Sequence, residues 1–357
     1  MCPPVFDSLL YMHKKTVKLI EQSDDSAGSV GSLLMGIEGE LQDRLNQVSM
    51  DTKTKLSLLK KLEKTVNLKI YEGWETLAID LLGIFSTAVP EKQVREAYVD
   101  LIDKKTEKFN KENQPYTVSV LLKLKASVIR TYESEDTYKD FLYTHEEDRY
   151  MKKELIQYLL EKKAYSDVLD RLDLDDGSKP LHAKRDQLRH AYQAYAGMNE
   201  TDKQIETGKK LILAGEFEYY EKIKAIAEDP EDLYTQTKQS IQAMNSFEAF
   251  HLYKKLIIVE QDTEAILSLT KNNPALIEET INYLKDAYPE ETFTLYTRYM
   301  YQLAEESSNR KEYKVLCRKL NTYGELFGSQ EKSTVISHLE ETYNRRPAMK
   351  DELSKIK

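Results

Sequence analysis

Apolar side chains recur along this chain at intervals of three and four residues rather than two. Over LLYMHKKTVKLIEQ, Leu9, Leu10, Met12, Val17, Leu19 and Ile20 fall mainly along one stripe, the pattern of an amphipathic helix with a single buried face. DDSAGSVGSLLMGIEGELQDRL opens on the cap-type residues Asp24 to Ser26 and then predicts a helix through Leu45. A third helix is expected over Lys53 to Leu68. WETLAIDLLGIFS, Trp74 to Ser86, is more apolar all round and predicts a buried helix. Pro90 is read as the start of the next helix, which runs to about Phe109, and the polar KFNKENQPY (Lys108 to Tyr116) as a connector. Helical period resumes over Thr117 to Tyr132 and Tyr138 to about Ala164.

LDLDDGSKP, Leu172 to Pro180, is the clearest break, acidic and carrying Gly177 and Pro180 as stop and start signals. Beyond it the helices are expected in pairs: Leu181 to Ala196, then Thr201 to Leu213 closed by Gly215 as a left-handed C-cap. Phe217 to Ala227 follows, then a helix opened by Asp229 and Pro230 as N-cap and first position. Phe247 to Val259, Thr263 to Thr270, Pro274 to Ala287, Glu290 to Glu306, Arg310 to Phe327 and Gln330 to Tyr343 continue the series. Pair starts near 181, 216, 247, 274 and 309 are spaced by about 27 to 35 residues, the length of one helix–turn–helix unit. No segment alternates with period two. The expected fold is therefore all-α, a right-handed α-solenoid of tetratricopeptide-like helix–turn–helix units. Its expected segments are an N-terminal helical bundle or repeat over 1–112, central helices over 117–171, and a C-terminal repeat segment over 181–357. PAMKDEL closes the last as a short capping helix, with Met349 and Leu353 one turn apart and facing the stack. Arg345 and Arg346 are expected either to bond carbonyls at the end of the preceding helix or to stay in water.

Composition narrows the function. Gly (12) and Pro (9) are scarce, which disfavours a turn-rich β fold, and a charged fraction of 32% suits long helices with one wet face. A net charge of −9 supplies no general basic field for phosphate, so nucleic acid is a disfavoured partner. Cys2 and Cys317 sit at opposite ends and form neither a disulfide framework nor zinc-ligand spacing. No apolar run approaches the length of a membrane span, and the first residues lack the charged region of a signal peptide. KDEL at Lys350 to Leu353 is followed by four more residues, so it is not expected to act as an address. A cytoplasmic, reducing compartment is expected.

Candidate chemistry is sparse. His145-Glu146-Glu147 lacks the second histidine that H-E-x-x-H requires, and His182 and His190 are too far apart to share a metal without further ligands. Gly28-Ser29-Val30-Gly31 lacks the G-K-[ST] ending of a phosphate loop. Cys317, between Leu316 and Leu320, reads as a buried structural thiol. No metal, no cofactor and no enzymatic activity are expected. The compositional oddity is tyrosine, 24 residues against 9 Phe and 1 Trp. Tyrosine can serve helix packing, with the ring buried and the hydroxyl at the edge, or a contact surface rich in area and poor in rotamers. On the second reading Tyr192, Tyr195, Tyr219, Tyr220 and Tyr253 are the candidate solvent-exposed residues for a protein or peptide partner.

Two closing strings carry a resemblance. Ser307-Ser308-Asn309-Arg310-Lys311-Glu312-Tyr313 and Arg345-Arg346-Pro347-Ala348-Met349-Lys350-Asp351-Glu352-Leu353 resemble motifs of the helical region that follows the zinc finger in bacterial SWIM zinc-finger proteins. GMNETDKQIETGKKLILAGEFEYYEKIK (Gly197 to Lys224) and DDSAGSVG (Asp24 to Gly31) are similar to that region as well. The C-x-C and C-x-H motifs of the finger itself are absent, so no metal site carries over. The resemblance implies an all-helical, repeat-like scaffold, either free-standing or part of something longer. The expected function is non-catalytic binding of a protein or peptide. The alternatives are a peptide-responsive regulator similar to tetratricopeptide receptors of Gram-positive bacteria, and a nucleic-acid-associated accessory protein.

Overall fold

Short polar side chains set where many of the helices begin. Asp51, Ser134, Asp148, Asp229, Ser246, Asp262 and Asn309 each accept a hydrogen bond from a backbone N–H in the first turn that follows, satisfying donors that have no partner within the helix. In the computed structural model, which describes residues 3–22, 28–47, 50–174, 180–244 and 246–356, every regular element is helical. Among the described residues none of these helices is long and apolar enough to cross a membrane. The chain forms two compact units, Met1–Leu172 and Asp173–Lys357. Asp24 to Ser26 and Gly177 lie outside the described residues.

The first unit runs α1 (Pro3–Gln22), α2 (Ser29–Gln47), α3 (Thr52–Val66), a 3-10 turn (Lys69–Tyr71), α4 (Glu75–Phe85), α5 (Lys92–Lys111), α6 (Pro115–Tyr132), α7 (Glu135–Thr144), α8 (Arg149–Glu161) and α9 (Tyr165–Leu169). Each helix packs chiefly on the next one or two in sequence: α1 on α2 and α3, α4 and α5 on α6, α6 on α7 and α8. α4 is buried as its composition predicts, through Ala78, Ile79, Leu81, Leu82 and Phe85. The expected boundary near residue 112 falls inside this unit, where α5 and α6 pack against each other across a three-residue turn.

Four local readings are corrected. Pro90 precedes the helix: Glu91 is the N-cap and α5 begins at Lys92. The connector at Lys108 to Tyr116 shrinks to residues 112–114, because Pro115 occupies the first turn of α6 and Lys108 to Lys111 are still helical. The single helix expected from Tyr138 to Ala164 is two, α7 and α8, because the Asp148 carboxylate takes the N–H groups of Tyr150 and Met151 and starts a new helix. Along α1 the buried stripe is Phe6, Leu9, Leu10, His13 and Val17, while Met12 (46%) and Leu19 (48%) face outward.

Lys105 on α5 is buried and donates from Nζ to the Val66 carbonyl at the end of α3, 2.9 Å away. Burial pushes its amino group down to about 8 from the usual 10.5. Above that value the folded chain gives up a proton that the unfolded chain still holds, so stability contributed at this site rises with pH up to the ordinary lysine range. Urea unfolding should show the wild type gaining about 1 kcal/mol relative to Lys105→Met between about pH 8 and 9. A difference that stays flat across this interval would refute the assignment.

The second unit runs from a 3-10 turn (Leu181–Lys184) through α10 (Arg185–Met198), α11 (Thr201–Leu213), α12 (Tyr219–Lys224), α13 (Pro230–Gln242), α14 (Phe247–Val259) and α15 (Thr263–Asn272). A second 3-10 turn (Pro274–Leu276) leads into α16 (Ile277–Leu284), α17 (Pro289–Glu306), α18 (Arg310–Phe327), α19 (Ser329–Thr342) and α20 (Pro347–Ser354). Neighbours in sequence are again neighbours in space. One apolar cluster spans Leu188 to Leu256 and another Ile257 to Leu353, with Tyr253 packed against both. α11 ends as expected at Gly215, whose φ of +101° lets Gly215 N–H reach the Ile212 carbonyl and Glu216 N–H the Leu211 carbonyl. Cys317 is buried, which pushes its thiol up to about 11 and keeps it protonated at neutral pH.

α20 closes this unit with Met349 and Leu353 fully buried. Arg346 does bond helix-end carbonyls, but those of α17: its Nη1 donates to Ala304 O (3.0 Å) and Ser307 O (2.9 Å). Arg345 is exposed. Arg310 ties the start of α18 to Asp351 and Glu352 on α20. Thus the closing strings meet in space, and their polar residues hold the last three-helix contact together.

Candidate functional site

The five tyrosines marked by the sequence divide by burial. Tyr219 and Tyr220, expected on an exposed face, are 8% and 0% exposed. α12 is a short helix lodged against α11, and both consecutive side chains fall within the core. The Tyr220 hydroxyl donates to Glu260 Oε1 at 2.8 Å, and Lys224 Nζ pairs with the same oxygen at 2.6 Å. Burial raises the Tyr220 phenol far above its ordinary value. Tyr219 meets Tyr192 edge-on, with ring centroids 4.9 Å apart, and Lys222 Nζ stands 4.0 Å from its ring centre. Tyr192, on α10, is half-buried in this contact. Tyr219 and Tyr220 pack in the core, as do the fully buried Tyr98, Tyr296 and Tyr323.

Tyr195 and Tyr253 line open clefts. Tyr195, half-buried on α10, forms a wall of a groove of about 560 Å³ whose apolar lining is Leu174, Leu181 and Leu188. The facing side of α11 contributes Asp202, Lys203, Glu206, Thr207 and Lys210, which the helical period sets on one face with charges of both signs. Lys203 Nζ lies 5.7 Å from the Tyr195 ring centre. Lys184 is buried beneath the groove and donates to the Leu174 carbonyl at 3.0 Å, which anchors that side of the lining. Tyr253 lines a second cleft of about 400 Å³ with Ile241, Met244, Phe247 and Phe250. Phe247 is 80% exposed and meets His251 edge-on at 4.7 Å. The structure therefore places Tyr195 and Tyr253 at different clefts of the second unit. Phe247 was missed because it opens an otherwise ordinary helix; the available signal was the apolar excess of FEAFHLYKKLIIV, more than one buried stripe of α14 accommodates.

A buried polar cluster in the first unit was also missed. His13 is fully buried, with Nε2 3.0 Å from Glu38 Oε1 and Nδ1 2.9 Å from the Tyr71 hydroxyl. A carboxylate only accepts, so Nε2 carries a proton, and in the neutral ring Nδ1 accepts from Tyr71 O–H. Burial and the Glu38 charge raise the Tyr71 phenol and keep that proton in place. This cluster links α1, α2 and the turn after α3. Among the described residues no group of three or more His, Cys, Asp or Glu side chains is placed to hold a metal ion.

Neither a scan against protein-family models nor a search of curated proteins returns a match to this chain.

Proposed function

We propose that this chain is a non-catalytic helical scaffold that binds a protein or peptide, with the groove of the second unit between α10 and α11 as its contact site. The observation that carries this reading is the groove itself. It has the volume of a ligand site, an apolar lining, a tyrosine wall and a facing row of charges of both signs. An extended segment with alternating apolar and charged side chains fits such a lining. In this reading the helix pairs of the second unit form a right-handed, tetratricopeptide-like solenoid, related to the helical region of bacterial SWIM zinc-finger proteins and working in the cytoplasm. Sequential helix packing supports it.

The test is affinity purification from the native cell with four versions of the chain. These are the wild type, Tyr195→Ala, Lys203→Glu/Lys210→Glu and the remote control Lys350→Ala. The first two variants are expected to reduce recovery of a specific co-purifying chain roughly tenfold, the size of a contact hot spot, with thermal unfolding unchanged. Recovery insensitive to both would refute the groove as the contact site. Thermal stabilisation by a short peptide would specify the regulator form of the same reading. A salt-dependent shift with RNA or DNA, abolished by Lys203→Glu/Lys210→Glu, would replace it with nucleic-acid association.

A further inference from the structure

The outward face of α1 carries apolar side chains in the first unit. Val5, Met12 and Leu19 lie seven residues apart on it and are 41%, 46% and 48% exposed. Beside them, α1 and the turn after α3 enclose a cleft of about 380 Å³ whose apolar lining is Tyr11, Leu68 and Ile70. Tyr11 and Leu68 are themselves 56% and 42% exposed. The rest of the lining is Lys14, Lys15, Lys18 and Lys69, with no acidic residue.

Asp7 pairs with Lys61 at 2.7 Å and Glu38 with His13. Among the described residues no carboxylate forms an ion pair with any of the four cleft lysines. Lys14 and Lys18 are one helical turn apart, where like charges repel. Lys14 and Lys15 Nζ stand 5.9 and 5.4 Å from the Tyr11 ring centre, within cation–π reach. In a chain of net charge −9, the described lining of this cleft sets four lysines and no carboxylate around an apolar hollow.

We propose that this cleft docks an acidic peptide segment of a partner protein, which inserts one large apolar side chain among Tyr11, Leu68 and Ile70 and sets carboxylates against the four lysines. Charge complementarity selects the acidic flanks, and the volume and lining select a single apolar anchor. A long polyanion is less well matched, because the remaining negative charge of the chain repels it beyond the cleft. The site belongs to the first unit, the groove between α10 and α11 to the second.

The test uses the full chain and a fluorescein-labelled peptide of sequence EDEFEDE, read by fluorescence anisotropy. Wild-type binding should weaken with added salt. Lys15→Glu/Lys18→Glu and Tyr11→Ala should each weaken it roughly tenfold while thermal unfolding stays that of the wild type. A peptide with serine in place of phenylalanine should lose a similar factor. The proposal is overturned if the wild type does not bind the peptide, if the double variant binds it equally, or if the serine peptide is equivalent. It is also overturned if phosphatidylserine vesicles or a single-stranded RNA bind through Lys15 and Lys18 and the acidic peptide does not compete.

Discussion

Replacing His13 with leucine should lower the stability of the first unit by about 3 kcal/mol, the scale of a broken buried polar network. The substitution fills a similar volume, so the loss is not mainly one of packing. It strands two groups at once. The Tyr71 hydroxyl loses the acceptor at 2.9 Å, and the mostly buried Glu38 carboxylate loses the N–H at 3.0 Å. For a unit of 172 residues this corresponds to a fall of roughly 6 to 12 °C in its unfolding temperature. Circular dichroism melts of the two proteins measure it. His13→Gln, which retains a donor and an acceptor, should recover part of the loss, and Tyr71→Phe in the leucine background should cost less than in the wild type. A leucine variant within about 1 kcal/mol of the wild type would show that the cluster carries no net stability.

The second large effect is expected at Gly208, within α11. A Cβ added there would overlap Ile223 Cγ2 and stand 3.4 Å from Tyr192 Cε2. Ile223 is fully buried on α12, so its methyl group has little room to retreat. In an open helix, alanine in place of glycine would gain up to about 1 kcal/mol from backbone entropy alone. Here the close approach of α11 and α12 reverses the sign. Gly208→Val, which adds two further methyl groups at that contact, should destabilise the second unit by about 3 kcal/mol, and Gly208→Ala by roughly half as much. The same alanine should be tolerated in an Ile223→Ala background, where the opposing methyl is gone, and the double-mutant cycle isolates the contact. If Gly208→Ala proves as stable as the wild type, α12 is free to move away and the contact is not a constraint.

The legible parts of this protein were those governed by short-range rules. α11, α14 and α18 run over the residues that the helical period predicts; Ser246 and Asn309 bond to N–H groups within three residues, and Gly215 takes up its positive φ locally. The break between α7 and α8 escaped because His145 to Asp148 contains neither glycine nor proline; a single cap, Asp148, makes the turn. Tyr219 and Tyr220 were misplaced because a tyrosine looks the same in one dimension whether its ring meets solvent or Tyr192. Only the fold shows Tyr195 beside a row of charges on α11.

Helical periodicity, stop and start signals and the closing motifs are properties of a few consecutive residues, and the amino-acid order alone specified them. Which apolar faces find a neighbour is a long-range matter. Met12 and Leu19 belong to the same periodic pattern as Val17, yet Val17 is fully buried whereas the other two are about half exposed. His13 acquired its partners from positions 25 and 58 residues away. Those pairings depend on how whole helices settle against one another, because burial and hydrogen-bond satisfaction are decided by the neighbours that packing supplies.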